Sequence, residues 1–332
     1  MSIRKSTLLL ATVVIAAGGC GTPAAVNEER EPAPVAAPTT INAPTNTVAP
    51  TTTQNAAGFP VTIPAANGAI DVPARPDRII SMSATHTEML YAVGAGDQVL
   101  AVDAFSNYPA EAPVTDLTGF APNVEAIMEL DADLVVTDGD WDGSSMDALT
   151  GLGIPVLILP AAATLEDVYS QIESLGVATD HSAEAAALVG RMQSEIEELL
   201  STLPTFPEPP SFYHELDESY YSVTSETFIG HIYSLMGLHN IADAAGDGSF
   251  GYPQLSEEYI IESDPDLIFL ADTLCCGVSG ETLVDRPGWD ALSAVRNRAI
   301  VELNDDIASR WGPRVVELME VIAAAASGLA GE

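Results

Sequence analysis

The strongest constraint on this chain is a passage that occurs twice. The segment 123–134 (NVEAIMELDADL) returns without a gap, 133 positions later, as 256–267 (SEEYIIESDPDL). Glu125/Glu258, Ile127/Ile260, Glu129/Glu262, Asp131/Asp264, Asp133/Asp266 and Leu134/Leu267 are identical pairs. Each copy runs into an apolar stretch, Val135-Val136 in one and Ile268-Phe269-Leu270 in the other. A repeat of this period predicts two similar lobes, and two lobes predict a cleft between them.

The chain ahead of the lobes has a different character. Arg4 and Lys5 precede an apolar run, Leu8 to Ala17, that is too short to span a bilayer, and Ala17-Gly18-Gly19 forms a small-residue cleavage site before Cys20. This arrangement resembles a bacterial lipoprotein signal over residues 1–19, with Cys20 as the lipidated first residue of the mature protein; the alternative is an ordinary secretory signal. Residues 20–57 are mostly Pro, Ala, Thr and Asn. They carry too little apolar surface to offset the entropy of ordering, and a flexible tether is expected. No later stretch is long and apolar enough for a membrane-spanning helix.

The formal net charge is −37, or −39 once Arg4 and Lys5 are removed, and Lys5 is the only lysine. Nucleic acid is excluded as a partner because it requires a basic footprint. Such excess acid makes the fold self-repel, so stability is expected to rise with salt. After Cys20 only the adjacent Cys275 and Cys276 remain. Neighbouring Cα atoms lie about 3.8 Å apart, which leaves a strained vicinal disulfide and two free thiols both open.

Beyond the tether, strand and helix signals alternate. Strands are expected at 78–82, 99–103, 133–137 and 154–159, then at 211–214, 220–223, 267–271 and 299–303. Helices are expected from Thr85 to Gly94, after Asn123, after Thr164, from 227 to 236, after Ser256 and over 312–329. The longest helical pattern, 181–204, has Leu188, Met192, Ile196 and Leu199 at helical spacing and ends at Pro204. A helix of about 22 residues spans roughly 33 Å, enough to join two lobes. The expectation is an α/β fold of two Rossmann-like lobes with central parallel sheets, 58–180 and 205–332, joined by the single helix 181–204.

Several segments, in this order, carry a family resemblance: RIISMSATHTEML (78–90), NYP (107–109), VEAI (124–127), YPQLSEE (252–258), RPGW (286–289) and RWGPR (310–314). The sequence resembles the class III periplasmic substrate-binding proteins of ABC importers, the family for vitamin B12 and ferric siderophores. The resemblance implies a corrinoid or ferric siderophore held between two lobes and delivered to a membrane permease driven by a cytoplasmic ATPase. Export and membrane attachment through Cys20 are expected from the signal-like segment, and a monomer with no cofactor and no catalytic residues is expected beside them. In such proteins a glutamate on each lobe docks on permease arginines; the matching positions are Glu125 and Glu258. Both lie two residues after a helix cap, where a carboxylate also suits the helix dipole without any partner.

Ligands of open parallel sheets sit beyond the carboxyl ends of the strands. The loops there carry Phe105, Tyr108, Phe120, Trp141 and Tyr252, aromatics suited to a broad apolar chelate. Phe105, Phe120, Trp141 and Tyr252 fall where B12-binding relatives place ligand-facing aromatics. Arg310, one of nine basic residues after Cys20, is the polar candidate for a ligand oxygen, with Asp306 beside it. An ion pair of Arg310 with Asp305 or Asp306 is the competing reading. So few basic residues favour a neutral siderophore or corrinoid over a highly anionic one.

Two rival classes remain. His86, His214, His231 and His239 raise a free transition-metal (Zn or Mn) or haem-binding lipoprotein, although no two have tight ligand spacing. A secreted enzyme lacks support: 277–281 is GVSGE, without the second glycine of a nucleophile elbow, and no zinc-protease or phosphate-loop motif occurs.

Overall fold

A computed structural model describes residues 58–246 and 250–330 of the protein. The signal segment, Cys20 and the tether over 20–57 lie outside the described residues. The first element is an antiparallel hairpin of β1 (Val61–Ala65) and β2 (Gly68–Val72). Its turn docks on the edge of the first sheet, Ala66 N–H donating to Ile158 O at 2.9 Å.

The first sheet contains β3 (Ile79–Ser81), β4 (Val99–Val102), β5 (Leu134–Thr137) and β6 (Val156–Ile158), all parallel, in the order β4-β3-β5-β6. The second contains β7 (Ser211–Glu215), β8 (His239–Asn240), β9 (Leu267–Leu270) and β10 (Ile300–Glu302). Its order is β8-β7-β9-β10, again all parallel. Each sheet therefore runs second, first, third, fourth strand, and the repeated passage supplies the helix and third strand of each. Every residue of β5 and of β9 is buried, as expected of strands covered on both faces.

The strands divide their side chains between layers. Leu134 and Val136 of β5, and Leu267 and Phe269 of β9, enter one continuous apolar cluster that runs from lobe to lobe. Val135 faces a separate cluster in the first lobe with Met82 and Met146; Ile268 and Leu270 face another in the second with Trp289. The shared cluster includes side chains of Leu165–Thr179, of the linking helix Ser182–Ser201 and of the closing helix Val315–Ala330. Gly176 permits the tight turn between the first two, because a Cβ there would collide with the Ala185 methyl. Thr164 starts the first of them with a reciprocal capping box to Asp167.

Two local expectations change. Thr85 does not cap its helix; Ser83 occupies the N-cap position, without a side-chain capping bond, and Thr85 is buried inside Ala84–Ala92. Residues 220–223 form no strand, only an isolated bridge from Tyr221 to Gln254. Tyr220 takes φ +67°, which breaks extension, and stacks on Trp289. Cys275 and Cys276 are joined as a vicinal disulfide.

Candidate ligand-binding site

A cavity of about 300 Å³ opens beyond the carboxyl ends of β3, β4 and β5. Met82 and Ser83 follow β3, Asp103 follows β4, and Asp138 follows β5; all four line it. Phe105, Phe120 and Trp141 form its aromatic wall, with exposures of 57%, 63% and 61%. Phe120 stands edge-on to Phe105 at 6.1 Å and tilted to Trp141 at 5.9 Å. Trp311, from the segment after the last strand, also lines it, and its indole N–H donates to Gln171 Oε1 at 3.1 Å. Gly119 brings the Phe120 loop against Met82, where a Cβ would lie 2.5 Å from the Met82 carbonyl oxygen.

Side chains beneath the wall fix these loops. Asp103 accepts from the Ser106 hydroxyl at 2.5 Å, and Ser106 is linked through Thr87 to Ser81. Burial pushes the Asp103 carboxyl up, the Ser106 hydroxyl opposes that, and Asp138 adds to it. Trp141 Nε1 donates to Asp138 at 2.9 Å. Asp142 accepts from the N–H groups of Ser144 at 3.0 Å and Ser145 at 2.8 Å. The Ser145 hydroxyl first, and then those bonds, pull its carboxyl down to about 2.

Arg310 is not free. Its Nη1 donates to Glu88 Oε1 at 2.8 Å, and its Nη2 lies within 2.6 Å of Asp306 Oδ1, 2.9 Å of Asn107 Oδ1 and 3.1 Å of Phe105 O. Arg314 forks onto the same Glu88 carboxylate at 2.8 and 2.5 Å, and its guanidinium lies 4.0 Å from the centre of the Tyr108 ring. Arg310, Asp306 and Tyr108 thus gather around Glu88 beside the cavity. Tyr252 lies in the second lobe, 40% exposed, and does not line it. Sequence reasoning missed Glu88, whose signal was an acid in a buried helix of a chain with few arginines.

The second lobe has its own buried charges. Arg286 forks onto Glu215 at 2.6 Å through both nitrogens and lies 4.7 Å from the Trp289 ring centre. Asp272 is fully buried, and neither of its oxygens has a hydrogen-bond partner among the described residues. Burial, then the neighbouring Glu215, raises its carboxyl to about 7. His86 and His214 are buried beside Gln171 and the Tyr233 hydroxyl. Burial lowers them to about 4 and about 3. Among the described residues no three His, Cys, Asp or Glu side chains are grouped to hold a metal.

Glu125 and Glu258 are exposed in the first turns of Val124–Glu129 and Glu257–Ser263. Asn123 caps the first by accepting from Ala126 N–H at 3.1 Å; Ser256 caps the second by accepting from Tyr259 N–H at 3.2 Å.

Residues 79–307 match the family described as periplasmic binding protein. The chain is 30% identical over 327 residues to an uncharacterized ABC transporter substrate-binding lipoprotein, YvrC, of Bacillus subtilis, covering 96% of this chain and 94% of that one. It is 32% identical over 279 residues to a cobalamin-binding protein of Halobacterium salinarum, covering 80% and 73%. Among solved structures, the vitamin B12 binding protein BtuF of Vibrio cholerae superposes with a TM-score of 0.61 at 25% identity, over 76% of this chain and 97% of that one. The haem-binding protein RhuT of Roseiflexus sp. RS-1 superposes at 0.65 with 22% identity, over 76% and 99%, a likeness of fold alone. These relatives are binding proteins rather than enzymes.

Proposed function

This chain belongs to the periplasmic binding protein family of ABC substrate-binding proteins, and we propose that its ligand is a metal chelate of the corrinoid or neutral ferric-siderophore class. One observation carries the choice. The cavity is walled by Phe105, Phe120, Trp141 and Trp311, while the two neighbouring arginines are committed to Glu88 and Asp306. An aromatic wall offers a broad ring system large contact area at low entropic cost. With its cations already paired and Asp103 and Asp138 in its lining, the site disfavours a strongly anionic chelate. The cobalamin-binding relatives support the corrinoid end of this range.

The rest of the reading concerns delivery. Cys20 anchors the mature protein to the membrane by a lipid, and residues 20–57 tether the lobes to it. The protein acts as a monomer outside the cytoplasm. Glu125 and Glu258, at matched places on the two lobes, form the face presented to basic patches of the permease. The permease draws the lobes apart and the chelate leaves.

The visible spectrum of the protein purified with its native ligand tests the ligand class. A corrinoid or ferric hydroxamate band supports the reading. Preference for a polyanionic ferric catecholate over both neutral chelates would contradict it.

A further inference from the structure

A short helix, Asp305–Ser309, follows the last strand, and its two leading acids are bonded to opposite lobes. The Asp305 carboxylate accepts from the backbone N–H groups of Thr273 at 3.0 Å, Leu274 at 3.0 Å and Cys275 at 2.7 Å, all in the second lobe. Asp306 accepts from Asn107 Nδ2 of the first lobe at 2.8 Å and from Arg310 at 2.6 Å. Arg310 then reaches further into the first lobe, to Glu88, Asn107 and the carbonyl of Phe105.

These bonds solve a specific problem. The Phe105 side chain is 57% exposed, so burial does not hold it in place. Its backbone is held instead: Phe105 O accepts from Asn107 N–H at 3.0 Å and from the Arg310 guanidinium, whose side chain is only 10% exposed. Glu88, 2% exposed, braces that guanidinium from behind. Charge-assisted bonds of this kind are about twice as strong as neutral ones, and a planar fork fixes direction as well as distance. Both terminal nitrogens of Arg310 already bond protein oxygens, which fixes the guanidinium in place beside the Phe105 loop.

We propose that Arg310 is a positioning residue for the cavity: braced by Glu88 and Asp306, it fastens the loop bearing Phe105 to the helix Asp305–Ser309, and Asp305 carries that fastening into the second lobe. The aromatic wall and the register of the lobes then form one mechanical unit. Drawing the lobes apart pulls on Phe105 and opens the wall. Release would therefore follow from lobe separation itself, a consequence that rests on the chelate-binding reading above.

Hydrogen exchange on the full protein tests the fastening without any ligand. The amides of Ala104, Ser106 and Asn107 are bonded to Leu117 O, Asp103 O and Phe105 O. Arg310→Met is expected to speed exchange in the peptide 103–108 by about tenfold, the scale of one lost charge-assisted bond. Exchange in β5 and β9 stays at the wild-type rate. Arg310→Lys, which keeps the charge but loses the fork, falls between, and Asp306→Asn repeats the comparison if the methionine variant does not fold. In a second arm, cyanocobalamin and a neutral ferric trihydroxamate are titrated by calorimetry, and Arg310→Met weakens the bound one about tenfold or more. Unchanged exchange over 103–108 overturns the proposal, and lost affinity with an undisturbed loop makes Arg310 a ligand contact instead. Equal acceleration everywhere also overturns it, leaving only a general contribution to stability. If the wild-type protein binds neither chelate, the functional reading fails, while the exchange arm still decides the role of Arg310.

Discussion

Asp133 and Asp266, one in each copy of the repeat, perform the same task in the two lobes. The Asp133 carboxylate accepts from the N–H groups of Asp77 at 2.9 Å and Arg78 at 3.0 Å; Asp266 accepts from Ser211 N–H at 2.8 Å and its hydroxyl at 2.8 Å. Each thereby ties the third strand of its sheet to the start of the first. Two positions earlier, Asp131 and Asp264 both take positive φ, +53° and +39°, where the repeat helices end. Much of the repeat is therefore structural. Asp133→Asn and Asp266→Asn are each expected to cost about 1 kcal/mol in urea unfolding, from loss of the charge-assisted bonds. Unaltered midpoints in both would contradict that role.

Glu125 and Glu258 differ from these aspartates: they are exposed, and the helix starts beside them are capped by Asn123 and Ser256 instead. The double variant Glu125→Arg/Glu258→Arg is expected to keep its unfolding midpoint and chelate affinity while uptake into cells falls at least tenfold, since like charges would then meet at the permease. Normal uptake would refute the docking role.

Buried titrating groups act on stability in opposite directions. His86 at about 4 and His214 at about 3 lie below the ordinary 6.5 of an unfolded chain, both through burial. As pH falls below 6.5 the unfolded chain takes up protons that the folded chain refuses. At pH 5 each histidine costs about 2 kcal/mol. Asp272, raised to about 7, binds a proton in the folded state that the unfolded chain loses near pH 4. Its contribution is present below about pH 4 and is lost as pH rises to 7. Urea unfolding across pH 4 to 8 is expected to show Asp272→Asn more stable than wild type at pH 8, with no gain at pH 4. His214→Gln is expected to flatten the acid limb. Profiles parallel to wild type in both variants would contradict these assignments.

The net charge of −37 predicts a melting temperature that climbs as salt rises from about 0.1 M to about 1 M, where the screening length falls from about 10 Å to about 3 Å. A melting temperature independent of salt would show that the acids do not repel one another appreciably in the folded state.

The fold was readable because its signals are local. Asn123, Thr164, Thr227 and Ser256 each sit immediately before a helix and accept a bond from its first turn. The β1–β2 hairpin was not legible: its turn is Ala66-Asn67, with Gly68 at φ +114° opening β2, too short a signal by itself. The rule that ligands lie beyond strand ends brought Phe105, Phe120 and Trp141 to notice, and they converge on one cavity. Arg310 was harder, because its partner Glu88 lies 222 positions away, a pairing that neither periodicity nor capping reports. Tyr252 comes from a stretch of sequence rich in turn residues, but it is not among the residues that line the cavity.

The central claim is that the aromatic cavity binds a neutral metal chelate as a receptor. The most direct test is calorimetric titration of the mature protein with cyanocobalamin and a neutral ferric trihydroxamate, repeated with Trp141→Ala and Phe120→Ala. The account predicts one site, bound without turnover of the chelate, and an affinity loss of at least tenfold in each variant, the scale of a truncated aromatic anchor. No binding of either chelate by folded protein, or binding indifferent to both substitutions, would contradict it.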